Sequence, residues 1–175
     1  MKRMNFLLCL LFAWSLAACG VTTARFPGTV VAPPADLAGQ WQMVLGGQTS
    51  VFALAPAAPN HYRVTSPGSS DATSMDASIQ VYRDAHYLVV ADTSQATGVS
   101  VFRVVDFSPG ALRIAALDPA KTAAVLQARG MPIAYKKMWL YEEIVLDGPA
   151  LQAVLAVPAA DVFALGEAMT LNRLQ

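Results

Sequence analysis

The chain has 175 residues, with 12 basic and 12 acidic side chains and 55% hydrophobic residues. That length suits a single domain able to bury about 70% of the surface its unfolded form exposes, and the balanced charge excludes an electrostatic hold on nucleic acid or anionic lipid. Both cysteines, Cys9 and Cys19, fall in the first nineteen residues, so the rest of the chain offers no disulfide, thiolate metal site or cysteine nucleophile.

Residues 1–18 read as a secretory signal: Lys2 and Arg3 give a positive start, Phe6 to Trp14 an apolar run and Ala17-Ala18 a small-residue cleavage site. As a helix, Met4 to Ala18 would be about 22 Å long, short of the ~30 Å needed to span a bilayer. The following residue is a cysteine, and Leu16-Ala17-Ala18-Cys19 resembles the lipobox of bacterial lipoproteins. This resemblance implies cleavage before Cys19 and three acyl chains on it, a permanent attachment given about 0.8 kcal/mol for each buried CH₂. Gly20 stands where, in the enterobacterial pattern, an aspartate would signal retention in the inner membrane. The expected location is therefore the outer membrane, facing the periplasm. Loss of residues 1–18 leaves 10 basic against 12 acidic side chains.

Residues 19–34, with Pro27, Gly28, Pro33 and Pro34 and no apolar period, read as the lipidated end and a flexible tether. Residues 35–175 then read as one domain. Trp41, Met43 and Leu45 alternate with Gln40, Gln42 and Val44, as in a half-buried strand. Gly46-Gly47 supplies a turn, Val51 to Ala55 a second strand stopped by Pro56 and Pro59, and His61 to Thr65 a third, with Tyr62 and Val64 on one face. A hairpin is expected over Ser78 to Asp92, turning at Asp84-Ala85. Another spans Val99 to Leu117, turning at Ser108-Pro109-Gly110. Asp118 and Pro119 open a helix that Gly130 and Pro132 stop. Tyr135 to Leu146 returns to strand composition, Gly148-Pro149 starts a second helix, Pro158 breaks it or begins a third, and Ala168 to Leu174 closes as a strand.

The predicted fold is mainly β: an antiparallel barrel-like sheet with two or three short helices in the C-terminal third. Leu37-x-Gly39-x-Trp41, the short strands, Leu117-Asp118-Pro119 before a helix, and the closing Leu146-Asp147-Gly148-Pro149 helix and strand are similar to small lipocalin-like β-domains of uncharacterised bacterial lipoproteins. The resemblance implies a fold and carries over no catalytic residue.

Catalytic patterns are sparse. Gly98-Val99-Ser100 lacks the final glycine of a nucleophile elbow, His61 and His86 have no metal-ligand spacing, and Asp84-x-His86 fits a hairpin turn. Glu142 and Glu143, adjacent on a strand, point to opposite faces. One must face a buried side unless the strand is an edge, with Lys136, Arg103 or Arg113 as possible partners. The aromatic set Trp41, Tyr62, Tyr82, Tyr87, Phe102, Trp139 and Tyr141 reads either as core or as the lining of a small-ligand cavity. No metal, cofactor or catalytic residue is expected. The predicted protein is a monomer, attached to the membrane through Cys19, that binds an envelope protein or a small apolar ligand without catalysis. The alternatives are an envelope hydrolase using Ser100, His86 or Asp84, and a structural accessory of an envelope complex.

Overall fold

A computed structural model describes residues 20–45, 47–65, 75–92, 98–137 and 142–174. The strands in chain order are β1 (Val21–Thr23), β2 (Thr29–Val30), β3 (Gly39–Leu45), β4 (Gln48–Ala58), β5 (His61–Thr65), β6 (Met75–Tyr82), β7 (Ala85–Asp92), β8 (Val99–Ser108) and β9 (Ala111–Ala116). Helix α1 (Pro119–Ala128), strands β10 (Ala134–Lys137) and β11 (Glu142–Leu146), helix α2 (Gly148–Leu155) and strand β12 (Met169–Arg173) follow. The expected signal, the lipobox with Cys19, the side chain of Leu45, and Trp139 and Tyr141 lie outside the described residues.

Strands β3 to β9 pair antiparallel in sequence order, β12 pairs with both β9 and β3, and the eight strands close into a barrel. Closure removes the unpaired edges that an open sheet would expose. The alternating patterns fall where a period of two requires. Trp41, Met43, Tyr62, Val64, Leu112 and Ile114 are buried in the interior, while Gln42, Arg63 and Arg113 face away.

A second core lies outside the barrel. Tyr87, Val89, Val101 and Ala115 are on the outer faces of β7, β8 and β9 and are covered by α1, α2 and Phe163. Both helices start as expected. Asp118 and Asp147 accept hydrogen bonds from the N–H groups of Lys121 (3.1 Å) and Ala150 (2.8 Å), with a proline in each first turn. Pro158 precedes a short 3₁₀ turn, Ala159–Asp161, rather than a third α-helix.

Three expectations change. Residues 20–34 are not a free tether: β1 pairs parallel with β11 and antiparallel with β8, and β2 pairs with β6. Val21-Thr22-Thr23 is a β-branched run that suits a strand, but three residues are too short to show a period. Between them Phe26 is buried against Tyr87, with ring centroids 5.0 Å apart. Strand β4 runs through Pro56 to Ala58, because its register shifts between Pro56 and Ala58, where a missing N–H is tolerated. The β6–β7 turn is Arg83-Asp84, both at positive φ (48° and 62°), one residue earlier than expected. Two positive φ values are what a two-residue hairpin turn needs to follow the strand twist.

Candidate functional site

The barrel interior is filled. Its void is about 30 Å³, lined only by apolar side chains such as Trp41, Phe52, Leu54, Leu88 and Ile114. With no polar partner such a space stays dry, and it is an order of magnitude below the ~300–1,000 Å³ of typical ligand sites. The aromatic set divides accordingly. Trp41, Tyr62 and Phe102 belong to the interior, whereas Tyr87, with Tyr82 packed beside it, belongs to the outer core.

One end of the barrel has a different character. Residues 31–38 cross it as a strap: the N–H of Val31 donates to the carbonyl of Ile79 on β6 (3.0 Å) at one side. At the other side Trp41 Nε1 donates to the Leu37 carbonyl (2.8 Å), and the Arg173 guanidinium donates to the carbonyls of Asp36 and Ala38. Leu37 and Trp41 are both essentially inaccessible to solvent. Under Pro34 of the strap is a cleft of about 250 Å³. Ile79, Val104 and Phe107 give it apolar walls, and His86 and Asp106 give it polar groups.

The cleft depends on an irregularity in β8. The register of β8 on β9 shifts between Val104, opposite Ile114, and Asp106, opposite Arg113, leaving Val105 as the extra residue. Such a bulge re-aims the side chains around it and is common at barrel rims and next to functional sites. Here Val104 and its neighbours Val105 and Asp106 all line the cleft. Val105 is 40% exposed at its rim. Asp106 Oδ1 accepts from the N–H of Phe107 (2.9 Å), which fixes the start of the segment after the bulge. Neither Pro34 nor Asp106 carried a sequence signal, because Pro34 lies in the expected tether and the bulge breaks the period that would have marked the strand.

The residues considered for catalysis are not assembled. Ser100 is opposite Val90 on β7, four residues and about 13 Å along the strand from His86. Asp84 is in the turn beyond, and His61 lies on β5 opposite Ser78.

A second polar cluster lies in the three-stranded extension β1–β11–β10. Glu143 is 5% exposed on β11, which has a strand on each side, and Lys136 faces it across the register. Burial raises the carboxyl above its usual range. The Thr22 hydroxyl, which approaches it without completing a hydrogen bond, and the Lys136 ammonium oppose that shift. Glu142, opposite Lys137, is exposed. A group whose pKa is higher folded than unfolded binds its proton more tightly in the fold, so stability falls as pH rises through the ordinary glutamate value of about 4.3 and levels off above the raised value. Glu143→Gln removes that dependence. The urea midpoint of the wild type should therefore fall relative to the variant as pH rises above about 4, and a difference that does not change with pH would mean that burial does not raise the Glu143 carboxyl.

Scans of family models, curated proteins and solved structures each find no match to this chain.

Proposed function

We propose that this protein is a lipid-anchored, non-catalytic binding protein of the bacterial cell envelope, with a lipocalin-like barrel that takes a small, mostly apolar ligand in the strapped end cleft. The anchor reading rests on Leu16-Ala17-Ala18-Cys19 behind a secretory signal, and places the domain at the outer membrane facing the periplasm. The observation that carries the binding reading is the contrast between a packed interior of about 30 Å³ void and an end cleft of about 250 Å³. Apolar walls with a few convergent polar groups are the usual make-up of a ligand site. The charge of Asp106 is balanced by Arg113, opposite it across the register, which fits a ligand that is mostly apolar. The separation of Ser100 from His86 argues against the hydrolase alternative.

Both halves are testable. A metabolically fed palmitate analogue should label the wild type and not Cys19→Ser; equal labelling refutes the anchor. For the cleft, a medium-length alkyl alcohol should bind the wild type. Val105→Trp, which places an indole at the exposed rim, should weaken that binding at least about tenfold, or 1.4 kcal/mol. Affinity unchanged by Val105→Trp, or no binding to the wild type, would remove the cleft as the site.

A further inference from the structure

Resting on the lipoprotein reading above, we infer that the lipid on Cys19 mounts the barrel directly against the membrane surface, with the β10 edge at Tyr135 and Lys137 touching the bilayer interface. The basis is that the expected spacer does not exist. Gly20 is buried, and its carbonyl accepts the N–H of Ile144 at 2.7 Å. Its φ is +59°, and a Cβ there would lie 2.8 Å from Cγ of Pro119. Glycine is thus the residue that fits both the backbone conformation and the close approach of α1. The next three residues, β1, all pair with β11, and Thr23 also pairs with Val99 of β8. A lipid on residue 19 is therefore attached one peptide unit, about 3.8 Å, from backbone held in the sheet.

Direct mounting determines what lies beside the bilayer. Successive strands are about 4.8 Å apart, so β10, two strands from β1 through β11, is about 10 Å from the attachment. Val21 is opposite Ile144, and Ile144 is opposite Tyr135, so the β10 edge stands level with the start of β1, beside the attachment. Among the described residues β10 is the open edge of the sheet. Tyr135 is 55% exposed there and Lys137 is exposed. A tyrosine has an apolar ring with a polar tip, and a lysine an apolar stem with a charged end, and both suit the interface rather than the hydrocarbon. Glu142 stands opposite Lys137, so the local charge is balanced. The contact comes from geometry and needs no anionic lipid.

The test uses the full lipidated chain in phosphatidylcholine vesicles. Since no cysteine follows Cys19 in the sequence, Tyr135→Cys and, separately, Lys137→Cys can each carry a single fluorophore, with Ala57→Cys near the exposed end of β4 as the distant control. A quencher on the lipid should reduce emission from positions 135 and 137 severalfold more than from 57. Inserting a twelve-residue Gly-Ser spacer between Cys19 and Gly20, with an end-to-end distance of about 20 Å, should abolish the difference. Failure of the protein to float with the vesicles would overturn the anchor itself. Flotation with equal quenching at the three positions would leave the anchor intact and overturn direct mounting.

Discussion

Trp41→Ala should destabilise the domain by about 3–5 kcal/mol, the usual cost of removing a buried aromatic and leaving a cavity. Trp41 is 1% exposed and packs with Met43, Phe52, Ile114 and Leu171 around a void that is already present, so truncation would enlarge it. It would also leave the buried Leu37 carbonyl without the indole N–H that now reaches it at 2.8 Å, a further loss of about 1 kcal/mol. Against a typical total of ~5–15 kcal/mol, this is a large share. Trp41→Phe keeps most of the volume and loses the hydrogen bond, so it should fall between the two. The soluble form for urea melts should begin at Gly20, since a start at Val21 would remove the carbonyl that receives Ile144. A Trp41→Ala midpoint equal to wild type would contradict the buried position of this ring.

What the sequence reveals follows from how local each determinant is. The period-two strand His61–Thr65, the β8–β9 hairpin and the Asp-Pro and Asp-Gly-Pro helix starts depend on neighbours within a few residues, and all appear where expected. Strand β1 depends on β11, more than 120 residues away in the chain, and its three residues hold no period to detect. Pro56 reads as a stop until a register shift shows where its missing N–H is tolerated. Whether the interior is hollow is a matter of summed side-chain volumes, which alternation does not encode. The cleft is still less local: it needs the strap at Pro34, a bulge at Val105 and His86 from a third segment. The two-sided burden on Glu142 and Glu143 was legible as a rule, but not which of them is buried, because that depends on what covers each face of β11; Glu143 is the buried one.

Phe163→Ala should be as costly, about 3–5 kcal/mol, and it tests whether the outer core is a separate unit. Phe163 is 1% exposed and lies 6.1 Å, ring to ring, from Tyr87 on β7. The chain around it joins the helices to the barrel. Asp118 N–H donates to the Val162 carbonyl (2.8 Å), Ala164 N–H to the Ala116 carbonyl (3.0 Å), and Lys121 Nζ to the carbonyls of Ala160 (2.9 Å) and Phe163 (3.2 Å). Phe163→Leu, closer in volume, should cost less than about 1.5 kcal/mol. The two cores share their strands: Leu88, Phe102 and Ile114 point inward while Val89, Val101 and Ala115, the adjacent residues, point outward. Melting the outer layer would therefore expose one face of β7, β8 and β9 and weaken the barrel with it. The helical signal in the far ultraviolet and the aromatic signal in the near ultraviolet should lose intensity at one urea concentration in both the wild type and Phe163→Ala. If the variant loses its helical signal first while the barrel signal holds at the wild-type midpoint, the helices and Phe163 form a separable layer rather than part of one cooperative fold.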